Sequence, residues 1–285
     1  MTSVRLPGMV VESEGEGPPV IMLHGLGGTS NSFQPLLAPL AGFRIVRPDL
    51  PGAGRSPPPP QQITVALLVQ AVADAAAHLG VNRAHVVGHS FGTLIAQQIA
   101  ARHPERVASL TLFGPILEPQ DAARERLRER AAIARHEGMS TIADQLTQSA
   151  LSGATANDNP VAVAFVRESH MRQDAEGFAR SCEALAQAER ADHRLIDCPT
   201  LIVTGDEDAV GPASIAHELA DRIGGAKTVV LHRCGHWTPI EKSRECGTLL
   251  SDFLRGIPIE DKQARRKCAA GTNRSNHHGL RAERL

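Results

Sequence analysis

Charge of one sign is the first thing this sequence lacks: 30 Lys and Arg stand against 31 Asp and Glu, for a formal net charge of -1. No global field then draws in nucleic acid or a membrane surface, and the partner to expect is a small molecule. Long apolar runs are missing too. Met1 to Val11, with Pro7 and Gly8, offers neither a signal peptide nor a membrane span. The five cysteines, Cys182, Cys198, Cys234, Cys246 and Cys268, are odd in number and form no C-x-x-C pair, which argues against a secreted disulfide scaffold and points to the cytoplasm. Cys198 and Cys234 fall at strand margins. Aromatics make up only 3% of the chain, with no tyrosine, so Phe33, Phe113, Phe165, Phe178 and Trp237 are the few candidate pocket walls, each equally suited to plain core. Neither G-x-G-x-x-G nor G-x-x-x-x-G-K-[ST] occurs at a strand-to-helix turn, and no Cys or His spacing suits a metal. No cofactor is expected.

What the chain has is alternation. Apolar runs bounded by glycine or proline recur at Val20–Leu23, Phe43–Val46, Ala84–Val87, Ser109–Phe113, Leu201–Thr204 and Thr228–Leu231. Helical spacing lies between several of them, at Thr64–Leu79, Phe91–Arg102, Ala213–Ile223 and Arg244–Arg255. Buried strands alternating with helices predict an α/β fold with a mostly parallel sheet covered on both faces. Pro104 stops the helix that begins at Phe91, and Pro57–Pro60 must be an extended loop. From Pro115 to Pro199 the alternation breaks into Ala-, Arg-, Glu- and Gln-rich helical sequence, read as an insert over residues 115–199 between core segments 1–114 and 200–256. Its charges at three- and four-residue spacing suit a solvated helix face, or else a lid shaping a pocket. The basic segment 257–285 has almost no apolar periodicity and reads as a disordered tail.

Gly88-His89-Ser90-Phe91-Gly92 follows an apolar β-branched run and precedes a helical one. In that context G-x-S-x-G lifts a serine onto a tight turn, making Ser90 a candidate nucleophile. A serine hydroxyl needs a base, and His236 in Gly235-His236-Trp237 sits on a loop after the last strand-like run. His232, inside that run, better suits a structural role. The carboxylate that orients the histidine is expected between them, in Gly205-Asp206-Glu207-Asp208. Asp208 is favoured, Asp206 follows, and Glu118 is third. An oxyanion would be met by the backbone N–H of Phe91 and, from His24-Gly25-Leu26-Gly27-Gly28, that of Leu26. His24, Gly25, His89 and Trp237 are candidate substrate neighbours. Arg167 or Arg172 would pair with a substrate carboxylate, unless each is simply exposed.

These motifs, together with Arg47-Pro48-Asp49-Leu50-Pro51-Gly52-Ala53-Gly54-Arg55-Ser56, make the chain resemble an α/β-hydrolase from about Val20 to Arg255. The resemblance implies an eight-stranded sheet, a helical cap between Pro115 and Pro199, and a cofactor-free triad of Ser90, Asp208 and His236. Gln173-Asp174-Ala175-Glu176-Gly177-Phe178, with Cys182 and Ala184-Leu185, is similar to the cap end of 3-oxoadipate enol-lactonases. Gly235-His236-Trp237 resembles the meta-cleavage C–C hydrolases, although the asparagine they carry before the serine is His89 here. The expected activity is hydrolysis of a carboxylic ester or lactone. C–C bond hydrolysis and a non-catalytic ligand-binding role on the same fold are the alternatives, and a homo-oligomer is left open.

Overall fold

The computed structural model describes residues 2–259. Most of the 257–285 segment, from residue 260 onward, lies outside the described residues. Eight strands form one sheet: β1 (Thr2–Leu6), β2 (Met9–Glu14), β3 (Pro19–Leu23), β4 (Arg44–Asp49), β5 (Ala84–His89), β6 (Val107–Phe113), β7 (Thr200–Gly205) and β8 (Lys227–Leu231). Their spatial order is β1-β2-β4-β3-β5-β6-β7-β8. Pairings from β4 to β8 are parallel, while β1–β2 and β2–β4 are antiparallel.

The apolar runs were legible because both faces of the parallel part are covered. Side chains alternate between faces: Ile21 and Leu23 of β3 point into one core cluster, Val20 and Met22 into another. The first face is covered by α1 (Val65–His78), α2 (Phe91–Arg102) and α8 (Ala213–Arg222), the second by a 3-10 turn at Ser30–Leu36 and by α10 (Ser243–Arg255). Each core helix begins within one residue of its expected start. Thr64 caps α1 by accepting from the Leu67 N–H (3.1 Å), and α2 ends at Arg102, before Pro104.

Between β6 and β7 run five α-helices, a short 3-10 turn at His193–Leu195 and no strand: α3 (Asp121–Glu137), α4 (Met139–Ala150), α5 (Gly153–Asp158), α6 (Pro160–Met171) and α7 (Ala175–Ala186). A short α9 (Thr238–Glu241) precedes α10. Among the described residues no helix is long and apolar enough to cross a membrane.

After β3 the chain steps outward to β4, then crosses back to place β5 on the other side of β3. The loops leaving β3 and β5 therefore diverge, and the crevice between such carboxyl ends is where ligands settle in open α/β sheets. Both glycine motifs of the sequence leave the sheet there.

Candidate active site

Ser90 occupies the turn between β5 and α2 with φ 53° and ψ -121°. A side chain is disfavoured in this conformation, so the turn stores strain of about 1–3 kcal/mol. The fold tolerates it because Gly92 lets α2 lie directly against β3; a Cβ there would collide with the Leu23 carbonyl. Ser90→Gly and Ser90→Ala both remove the hydroxyl, yet only glycine relieves the strain. After subtracting its extra chain entropy of about 0.5–1 kcal/mol, the glycine variant should be the more stable by about 1 kcal/mol. Urea midpoints decide this, and an alanine variant equally stable would show that the turn is unstrained.

The Ser90 Oγ lies 2.7 Å from His236 Nε2. On the other side of the ring, His236 Nδ1 lies 2.9 and 3.0 Å from the two Asp208 carboxylate oxygens. Asp208 also accepts from the Val210 and Gly211 N–H groups, both at 2.8 Å. Burial alone would raise the Asp208 pKa, but His236 and those two N–H groups outweigh it and hold the carboxyl at about 2. Asp206 instead binds His232 Nδ1 (2.7 Å) and the Cys234 N–H (3.2 Å), and Glu118 pairs with Arg190 at 3.6 Å. His232 stands one residue beyond β8 with an exposed side chain, so it is not the strand-interior histidine expected.

Across from Ser90, Gly25 to Gly28 form a tight turn closed by Gly28 N–H to Gly25 C=O at 3.0 Å. Gly27 has φ +73°, the left-handed conformation a type II turn requires at its third position. Such a turn leaves the Leu26 N–H free, and Phe91 is the first residue of α2, whose leading amides have no partner within the helix. Leu26 lines the same cavity as Ser90, and Phe91 follows Ser90 directly in the chain. The turn is braced from below: the Leu50 N–H donates to His24 Nε2 (2.9 Å), and His24 Nδ1 donates to Gly25 C=O (2.8 Å). Asp49 ties the Ser30 N–H (2.7 Å) to Arg55 (2.7 Å). It is braced from above by α6 and the turn that follows it, where Ser169 Oγ and Gln173 Nε2 respectively donate to Gly27 C=O at 2.8 and 3.1 Å.

A cavity of about 450 Å³ opens onto Ser90 and His236, roofed by α3, α4 and α6. Of the expected substrate neighbours, His89 and Trp237 line it, beside Leu26 of the expected oxyanion donors. The others do not. Both ring nitrogens of His24 are committed to backbone groups, and Gly25 is packed against Ser90 and His89. Arg167 is exposed and paired with Asp144 (2.6 Å), and Arg172 is exposed and off the cavity wall. Phe33, Phe113 and Phe178 are core, while Phe165 only backs Trp237 edge-on.

Three features lay hidden in the sequence. Glu241 at the end of α9 accepts from the N–H groups of Ser152, Gly235 and Trp237, tying the histidine loop to the segment after α4. His170, in contact with Trp237 at 5.5 Å, enters the cavity wall from α6. Arg126 and Arg130 of α3 also line it. One carboxylate in a short helix carries no pattern, but Ala123, Leu127, Ala131 and Ala134 mark an inward stripe on α3 that the two arginines flank.

Buried neutral histidines set a pH response. Burial lowers His85 to about 4, His89 to about 3 and His170 to about 4. Their folded values lie below the unfolded value near 6.5, so between those limits the unfolded chain binds more protons and stability falls with falling pH. Each contributes about 1 kcal/mol per pH unit there. Urea unfolding at pH 7.5 and 5.5 should show a clear loss at 5.5, and an unchanged midpoint would refute buried neutral rings.

The model of the alpha/beta hydrolase fold matches residues 18–243. A 2-hydroxymuconate semialdehyde hydrolase from Pseudomonas sp. (strain CF600) is similar at 30% identity over 266 residues, covering 86% of this chain and 89% of the relative. Among solved structures, the enol-lactonase from Burkholderia xenovorans LB400 superposes with a TM-score of 0.83 at 28% identity over 89% of this chain and all of its own. A thermophilic esterase from Thermogutta terrifontis does so at 0.84 and 26%, over 90% of this chain and 98% of its own. With a family model spanning most of the sequence, and a sheet and serine turn built as described, the chain belongs to the alpha/beta hydrolase fold family.

Proposed function

We propose that this α/β-hydrolase enzyme cleaves a carboxylic ester or lactone through an acyl-enzyme on Ser90. The observation that carries the reading is the His236 ring bridging the Ser90 hydroxyl and the Asp208 carboxylate. His236 Nε2 takes the hydroxyl proton as Ser90 Oγ attacks the carbonyl carbon, and the Leu26 and Phe91 N–H groups hold the oxyanion. The imidazolium, stabilised by Asp208, gives its proton to the departing alkoxide. Water activated by His236 then attacks the acyl-enzyme, releasing the acid and restoring Ser90. Core segments 1–114 and 200–256 supply these groups, and residues 115–199 act as a cap that shapes the substrate space. The working compartment is the cytoplasm. A fluorophosphonate should label the wild type and leave Ser90→Ala unlabelled. A folded wild type that resists labelling would overturn the reading in favour of a ligand-binding protein.

A second reading is favoured by the 2-hydroxymuconate semialdehyde hydrolase among the relatives: hydrolysis of a C–C bond. The enol-lactonase and esterase neighbours favour ester chemistry. Turnover of a vinylogous diketone in preference to aryl esters and lactones would select the C–C reading.

A further inference from the structure

Helix α3 carries five arginines, and three of them have protein partners. Arg124 caps the carbonyls of Ala186 and Ala188, Arg128 pairs with Glu125, and Arg135 bridges Glu176 and Glu183 of α7. Arg126 and Arg130, one helical turn apart, line the cavity above Ser90. Among the described residues neither has a carboxylate within ion-pair distance or donates a hydrogen bond to another group. Glu118 is the one acidic residue in that cavity wall, and it faces Arg190. Arg126 is exposed at the mouth; Arg130 is half-buried.

Such an arrangement costs stability. Like charges at i, i+4 repel by some tenths of a kcal/mol, and a guanidinium withdrawn from water without a counter-ion loses more. Burial accordingly lowers the Arg130 pKa, with Arg126 adding to the effect. The same charge reaches into the site, where it helps lower His170. Nothing in the packing of α3 requires a cation here, since Leu127, Ala131 and Ala134 provide the buried stripe. An anion arriving with the substrate would remove the whole penalty.

Resting on the ester or lactone reading above, we infer that Arg130, with Arg126 at the entrance, forms an anion subsite that selects substrates bearing a free carboxylate apart from the scissile bond. The planar fork of Arg130 suits bidentate contact with a carboxylate, while the largely aliphatic wall accepts the carbon chain between the two groups.

The test uses the full chain with two probes, mono-(p-nitrophenyl) glutarate and p-nitrophenyl butyrate. The wild type should prefer the glutarate in kcat/KM, and Arg130→Met should reduce that preference roughly 10- to 100-fold, mainly through KM. Arg130→Lys, which keeps charge but not the fork, should retain part of it, and Arg126→Met should lose a few-fold. A wild type indifferent to the carboxylate, or an Arg130→Met variant with the same preference, overturns the subsite. A binding measurement separates it from the serine chemistry. Calorimetry should show glutarate binding to Ser90→Ala and no binding to Ser90→Ala with Arg130→Met. Glutarate binding that depends on Arg130 in a protein whose serine resists fluorophosphonate would sustain the subsite and reject the ester reading. Binding that is absent, or indifferent to Arg130, rejects the subsite.

Discussion

Ser90→Ala is expected to lower kcat on an aryl ester by about 10⁴-fold or more while leaving the fold intact. The side chain removed is a single hydroxyl, buried but small, whose one side-chain partner is His236 at 2.7 Å. The Ser90 backbone, including its N–H to Phe113 C=O at 2.9 Å, is retained with alanine. What disappears is the atom that forms the acyl bond. The remaining rate enhancement then comes from binding and from the Leu26 and Phe91 N–H groups acting on direct attack by water. Because Ser90 and His236 act as one unit, adding His236→Ala to Ser90→Ala should cost little further activity. A Ser90→Ala variant keeping a tenth of wild-type kcat, in protein free of wild-type carry-over, would remove Ser90 from the reaction.

The distribution of what the sequence disclosed follows from locality. The β5–Ser90–α2 unit was legible because strand, turn and helix are consecutive and each imposes its own residue types: β-branched runs, glycines around a strained turn, then helical spacing. The β7 and β8 loops were legible for the same reason, each acid or histidine sitting just past a strand end. By contrast the β1–β2 hairpin went unread. Its first strand, Thr2–Leu6, is a mostly exposed sheet edge with no apolar run to signal it, and it is closed by Pro7-Gly8. The roof of the site was harder still. Arg167 and Arg172 stood as either partners of a substrate carboxylate or plain exposed arginines; both are exposed, and the cavity is reached instead by Arg126 and Arg130, more than thirty residues earlier. In a helix as polar as α3, spacing alone does not say which charges face water, because that depends on where α7 and the sheet lie. His24 shows the converse. Its motif located the right loop, but only the structure reveals that both ring nitrogens are spent holding backbone.

Asp208→Asn is the sharper test of the site, since it changes one atom. Oδ1 of Asp208 accepts two backbone N–H groups, from Val210 and Gly211. In the asparagine variant those donors require the amide oxygen at that position, which places the NH₂ group where Oδ2 now stands, 2.9 Å from His236 Nδ1. Nδ1 then meets a donor at 2.9 Å where it had an acceptor, keeps only the Oδ1 contact at 3.0 Å, and the balance shifts toward the tautomer that carries the proton on Nε2. That tautomer points a proton at Ser90 Oγ and has no lone pair to receive one. The expected loss in kcat is about 10⁴-fold, with little change in KM or in unfolding midpoint. With the Asp208 pKa at about 2, the charge that the variant loses is present in the wild type throughout the working range. Asp206→Asn supplies the contrast: its partners are the exposed His232 and the Cys234 N–H, and kcat should stay within about threefold. If the two variants exchanged these behaviours, the acid that serves His236 would be Asp206, and the loop after β7 would have to rearrange in solution to bring it there.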